Sequence, residues 1–315
     1  MLISMAVMHT SFHLPVDLAA KALAELRRTL QTEQEFIKVH AAEYLIWLGH
    51  PREVQTQFLQ ENKQHGNQPK YRIGIWRVLA QTEVDPQKKQ AWYDKIYQAF
   101  ADPNGPDRLH ASETLAKLKL SPAQKYPQAT QRALADESPN MHVYTQWAVS
   151  YAPGADQDGF RQHLLQLVAS DPNPVIRMIS AYIIRKKKGL PPDEWITLST
   201  LALAEPDTSA LKRNLLNTAL VTFPEGMKKT PEYDRIRKGI TTGFQQFIPA
   251  GRIELAQALA EMGEPGDLPL LASYLNDENS QGIYDPQSKE GADIRAAAAY
   301  AILVIQSRTP SHCNH

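Results

Sequence analysis

Eight times along the chain a basic or amide residue is followed by mostly small or apolar residues three and four places on, and by an apolar one seven places on. Lys38, Arg72, Arg108, Asn140, Arg177, Arg213, Arg252 and Arg295 head the copies, with successive steps of 34, 36, 32, 37, 36, 39 and 43 residues. Offsets three, four and seven fall on one face of an α-helix, so each copy marks a helix with a buried stripe. A period of this length is that of stacked helical pairs, in which no unit buries its apolar face alone. The repeat therefore predicts an all-α array before any chemistry is considered.

The best copies are Lys38-Val39-His40-Ala41-Ala42-Glu43-Tyr44-Leu45, Arg108-Leu109-His110-Ala111-Ser112-Glu113-Thr114-Leu115 and Arg295-Ala296-Ala297-Ala298-Ala299-Tyr300-Ala301-Ile302. Their small residues at offsets three and four let a neighbouring helix approach closely. Asp102, Asp171 and Asp207 each stand six residues before an anchor arginine, and a ladder of pairs from one repeat to the next is expected of them. The turns are punctuated by proline, as in Asp171-Pro172-Asn173-Pro174, and a proline in the first helical turn sacrifices no hydrogen bond. This combination resembles the HEAT repeat, over about residues 17–307. The resemblance implies a right-handed α-α superhelix, a solenoid of eight units whose inner helices line a concave groove. It does not imply an activity, because such arrays host many functions.

A solenoid grows by adding units, so a chain of 315 residues is read as one array over residues 16–307, preceded by a segment 1–15 and followed by a polar tail 308–315. Lys and Arg number 34, as do Asp and Glu, a balance that argues against a general binder of phosphate backbones. The single cysteine, Cys313, permits no internal disulfide and no cysteine metal cluster. No apolar run approaches the ~20 residues that span a bilayer. The apolar start, Met1 to Met8, lacks a basic leader, so a signal peptide is not expected and a cytoplasmic location is favoured, with Met5 or Met8 as alternative starts. Outer helices are expected before each anchor, among them 16–30, 88–100, 122–134, 193–204 and 231–247. Residues 276–292, rich in Asn, Asp, Gly, Ser and Gln, read as a long loop inside the last repeat, either a plain surface loop or a lid.

The chemistry is expected at offsets two, five and nine, on the side turned away from the small-residue face. Offset two supplies His40, His110 and His142 before turning apolar at Ile179 and Leu215; offset five supplies Glu43, Arg77 and Glu113; offset nine begins with Trp47, Gln81 and Lys117. Polar groups thus gather in the first four repeats, with Arg77 between Glu43 and Glu113. Neighbouring inner helices pack ~8–10 Å apart, which puts two units ~16–20 Å apart. That separates Glu43 from Glu113 by more than a glycosidase carboxylate pair allows. It also keeps His40, Glu43, His110 and Glu113 from sharing one metal ion, so neither a metal nor a cofactor is expected.

His40-Ala41-Ala42-Glu43 and His110-Ala111-Ser112-Glu113 look like the ligand motif of deoxyhypusine hydroxylase, a HEAT-repeat di-iron enzyme. They depart from it, since alanine follows each histidine and only two repeats carry the pattern. Two readings of the polar centre stay open: a structural ladder Glu43–Arg77–Glu113, or a ligand site. In the second, Arg77 clamps an anion, with His40, Glu43, Trp47, Glu113 and Lys117 as the other contacts. The run Arg185-Lys186-Lys187-Lys188 before Gly189 reads as cations at a helix C-terminus with a glycine stop. No nucleophile, base and orienter occur in one string. The expected function is therefore a binding or scaffold protein that holds a protein partner or an anionic ligand in the groove. The alternative is a cofactor-independent enzyme in which His110 and His142 move protons on an anionic small molecule such as a uronate-containing carbohydrate.

Overall fold

The computed structural model describes residues 16–241, 249–275 and 290–308, and among these the chain forms sixteen α-helices and no strand. The eight anchors fall on the even-numbered helices: α2 (Glu35–Trp47), α4 (Tyr71–Thr82), α6 (Arg108–Lys117), α8 (Pro139–Val149), α10 (Pro174–Lys187), α12 (Ala210–Thr222), α14 (Pro249–Met262) and α16 (Glu290–Arg308). The odd-numbered helices intervene: α1 (Val16–Thr32), α3 (Pro51–His65), α5 (Pro86–Ala101), α7 (Pro127–Leu134), α9 (Gln157–Ser170), α11 (Pro192–Ala204), α13 (Pro231–Thr241) and α15 (Leu268–Leu275). Most of the loop read at 276–292, the segment 1–15 and residues 309–315 of the tail lie outside the described residues.

Local chemistry explains where helices start. Proline opens α3, α5, α8, α10 and α11, where a missing N–H costs nothing. Asp85, Asp156 and Asn173 cap α5, α9 and α10 by accepting from backbone N–H groups of the first turn. The expected helix at 122–134 begins only at Pro127, and residues 242–247 of the one expected at 231–247 lie outside the described residues.

Ala41, Ala42, Leu45, Ala111, Ser112, Leu115, Ala298, Ala299 and Ile302, at offsets three, four and seven, have no exposed surface. This face joins the two helix layers, with Phe58, Phe100 and Trp195 as bulky fully buried partners from the odd-numbered helices. The stack bends toward the even-numbered helices, seven of which line one cavity.

The bend closes. Each even-numbered helix packs on the next, from α2 through to α16, and α16 packs on α1 and α2. Three contacts fasten the seam. Arg295 Nε donates to Glu25 Oε1 at 2.8 Å, His40 Nδ1 lies 2.9 Å from Asp293 Oδ2, and Tyr44 stacks on Tyr300 with centroids 4.8 Å apart. An open groove with free ends was the expectation; the first and last units instead meet, and the even-numbered helices form a ring.

The repeat-to-repeat ladder exists but runs through other acids. Anchors reach forward into the following units: Lys38 to Glu61 at 2.8 Å, Arg72 Nε to Asp107 at 2.7 Å and Arg108 to Asp136 at 3.1 Å. Arg177 pairs with Glu205 at 2.7 Å, and the Arg295–Glu25 pair is a rung of the same ladder carried across the seam. Asp102 and Asp171 instead accept from the backbone N–H groups of Asn104 and Asn173, and Asp207 pairs with Lys212. A carboxylate in the turn before a helix is nearer to its own free N–H groups than to the neighbouring unit's arginine.

Candidate functional site

The ring lines a half-open cavity of about 570 Å³ to which α2, α4, α6, α8, α10, α12 and α14 all contribute. Its walls carry the expected His40, Glu43, Trp47, Arg77, Glu113 and Lys117, so six of the eight candidate residues share one space. His110 and His142 do not line it.

Glu43 and Arg77 make the innermost pair. Arg77, 3% exposed, grips the carboxylate with both edges of its fork, Nε to Oε1 at 2.7 Å and Nη2 to Oε2 at 3.0 Å. Its third arm donates to Thr114 Oγ1 at 3.2 Å, and Gln81 adds a bond to Glu43 Oε1 at 2.8 Å. Burial alone would raise the pKa of Glu43, but the charge and hydrogen bonds of Arg77 outweigh it and hold the carboxyl down at about 2. Of the ladder Glu43–Arg77–Glu113, one of the two readings left open, only the Glu43–Arg77 half forms. Glu113 pairs with Lys117 one helical turn on, at 2.8 Å, and reaches Arg77 only through the longer-range field. Offset nine lies next to offset five on the same helix, so Glu113 meets Lys117 sooner than a side chain on another helix.

A second cationic cluster stands opposite, around the ring of Tyr182 on α10. Lys117 Nζ, Arg185 Cζ and Lys186 Nζ lie 6.0, 5.6 and 5.5 Å from its centroid. Arg185 is 3% exposed, and neither terminal nitrogen of its guanidinium has a hydrogen-bond partner among the described residues. Its ion pair, with Glu254 at 3.4 Å, is shared, since Asn214 Nδ2 also donates to both oxygens of that carboxylate at 3.1 and 3.0 Å. Lys186 lines the cavity. Burial pulls its ammonium down to about 8, helped by the charges of Arg185 and Lys117. Burial pushes the Tyr182 and Tyr144 hydroxyls up, so both phenols are neutral at physiological pH.

Summed over the cavity, Arg77, Lys117, Lys119, Arg185 and Lys186 stand against Glu43, Glu113 and Glu254, five cations against three carboxylates. The surplus positive charge sits at Lys186 and at the exposed Lys119. Aromatic rings stand beside it: Tyr144, Trp147 and Tyr151 on one wall, and Trp47 with Tyr44 and Tyr300 at the seam. Trp47 is 51% exposed although it lines the cavity, which makes it a rim residue.

The remaining histidines are placed by packing. His40 is drawn into the seam by Asp293. His110 stacks under Phe36 of α2, with ring centroids 5.6 Å apart and its Nδ1 buried without a partner. Gly74 of α4 makes this bridge from α2 to α6 feasible, because a Cβ there would lie 2.8 Å from Val39 Cγ2 and 3.6 Å from the Phe36 ring. Burial pushes the His110 pKa down, against the pull of Glu113. Among the apolar offset-two residues, Ile179 lines the cavity, whereas Leu215 is wholly buried in the core. No group of three or more His, Cys, Asp or Glu side chains that could hold a metal ion occurs among the described residues. No helix of the described residues is long and apolar enough to cross a membrane.

Eight of the twenty-two lining residues come from the later units, beyond the first four that sequence reasoning singled out. Lys186 occupies offset nine of the fifth copy, the position that supplied Trp47, Gln81 and Lys117 in the first three. Following that offset through all eight copies would have found it. Instead the basic run read as a helix cap. Lys188 and Gly189, with φ of 58° and 70°, do end α10, but Arg185 is buried beside Tyr182 and Lys186 lines the cavity. Compared with protein-family models, with curated proteins and with solved structures, the chain matches none.

Proposed function

We propose that this chain is a HEAT-like repeat protein that binds a small carboxylate-bearing molecule in the cavity of its helical ring. The observation that carries the reading is the surplus cation. Lys186 makes no hydrogen bond or ion pair to a described residue, beside an Arg185 whose terminal N–H groups are unmet in a nearly buried position. A buried guanidinium costs least when its donors are used, and a planar carboxylate matches its fork. A cavity of about 570 Å³ suits a ligand of small-molecule size, with aromatic walls to cover its apolar or ring portion. In this reading Arg77 organises the pocket through Glu43, whereas Lys186 meets the ligand and the buried Arg185 behind it adds positive field. Closure of the ring weighs against a scaffold that grips an extended partner, because the even-numbered helices face one another across the cavity.

Titration of tryptophan fluorescence tests the reading, since Trp47 and Trp147 line the cavity. Benzoate and glucuronate should bind saturably while the matching amides do not, and Lys186→Met should weaken acid binding at least ten-fold. Equal response to acids and amides, or an unchanged Lys186→Met variant, refutes it.

A further inference from the structure

We propose that Lys186 acts as a nucleophilic amine, forming an imine with an aldehyde or 2-oxo group carried by the carboxylate ligand; the proposal rests on the anion-binding reading of the cavity. The geometry leaves this amine free and in position. The acids within electrostatic reach are committed elsewhere: Glu43 to Arg77 at 2.7 Å, Glu113 to Lys117 at 2.8 Å and Glu261 to Lys188 at 2.7 Å. Lys117, the other lysine beside the Tyr182 ring, is held protonated: burial pulls its pKa down, but Glu113 together with its other acidic neighbours raises it. Lys186 lines the cavity beside Tyr182, and the buried Arg185 stands behind the same ring. A carboxylate drawn to this cationic cluster would bring an adjacent carbonyl carbon within reach of the Lys186 nitrogen.

Desolvation and a neighbouring cation are the two conditions that keep a lysine neutral enough to attack a carbonyl, and both are met here. An ammonium at about 8 instead of 10.5 carries roughly 300-fold more free amine at neutral pH. The Lys186 lone pair would form the C–N bond while the carbonyl π pair moves to oxygen, which takes up a proton as the nitrogen loses one. Protonation of the resulting hydroxyl then expels one water and leaves the imine, with no oxidant or reductant involved. Tyr182 and Tyr144, neutral phenols on the cavity wall, are the hydroxyls at hand to relay these protons.

The test uses pyruvate and glyoxylate as probes, sodium cyanoborohydride to trap the imine, and intact-mass and peptide mapping to locate it. The expected result is a secondary amine at Lys186, formed at least about ten-fold faster than at any other lysine. It should be suppressed by benzoate and absent in Lys186→Arg, which keeps the charge. Adducts spread evenly over surface lysines, or none at Lys186 while benzoate still binds saturably, would overturn the imine and leave the carboxylate site standing. Loss of both benzoate binding and trapping in the parent protein would bring down the anion-binding reading together with the imine.

Discussion

Replacing Arg77 by methionine removes the positive half of an ion pair that the structure keeps out of water. Arg77 and Glu43 are 3% and 8% exposed, and Gln81 alone would remain to donate to the stranded carboxylate. Breaking one side of such a pair costs ~3–5 kcal/mol, because the remaining charge stays desolvated. The carboxyl itself supplies a second measure. Its pKa is held at about 2 instead of 4.5, a shift worth about 3 kcal/mol of preference for the ionised fold. A folded-state pKa below the unfolded one stabilises above pH ~4.5 and ceases to do so as pH falls toward 2. Urea denaturation followed by circular dichroism should therefore find Arg77→Met about 3–5 kcal/mol less stable at pH 7. The deficit should narrow at pH 3, where the unpaired Glu43 of the variant takes up a proton and no longer strands a charge. The double variant Arg77→Met/Glu43→Met should recover much of the loss, since it removes both charges together. A single variant within about 0.5 kcal/mol of the parent, or a deficit that does not change with pH, would refute the view that this pair is dry and coupled.

Other substitutions probe the rest of the architecture. Lys186→Met should stabilise the free protein at neutral pH, because a folded-state pKa of about 8 against 10.5 means that charging this amine opposes folding below pH 8; in urea titrations the advantage should fade between pH 8 and 10.5, and its persistence would contradict the assignment. Gly74→Ala should destabilise by about 1–3 kcal/mol through its 2.8 Å approach to Val39, whereas helix propensity alone would stabilise by about 1 kcal/mol, so the sign of the change in denaturant midpoint decides. Tyr300→Ala should cost at least about 1 kcal/mol and speed hydrogen exchange in both α1 and α16, whereas exchange rising in α16 alone would mean that the seam does not hold the first unit. His110→Ala and His142→Ala should leave benzoate affinity within about two-fold of the parent, which calorimetry would measure, and a ten-fold loss in either would return that histidine to the site.

Much of the helical order was legible because its cause is local. The spacing of Ala41, Ala42 and Leu45 after Lys38 declares a buried stripe from a handful of residues, and the same offsets recur in every unit. Offset five pointed to Glu43, Arg77 and Glu113, which all line the cavity. Offset two was less reliable. The histidine positions look equivalent in sequence, yet His40 is drawn to Asp293 and His110 is roofed by Phe36, a difference set by what crosses each helix. Likewise no local rule distinguishes Arg185, which turns into the ring, from Lys188, which ends the helix beside it.

By itself the sequence determined the helical pairs, their anchors and the face each buries, since these depend on contacts within one or two turns and on backbone hydrogen bonds that every unit makes for itself. Only the tertiary structure decided that the stack closes. Closure depends on small bends summed over all eight units, and its contacts join residues as far apart as Glu25 and Arg295, 270 positions along the chain. That closure brings Lys186, Arg185 and Glu254 to face Glu43 and Arg77, so the charge balance of the cavity is a property of the ring and not of any one repeat.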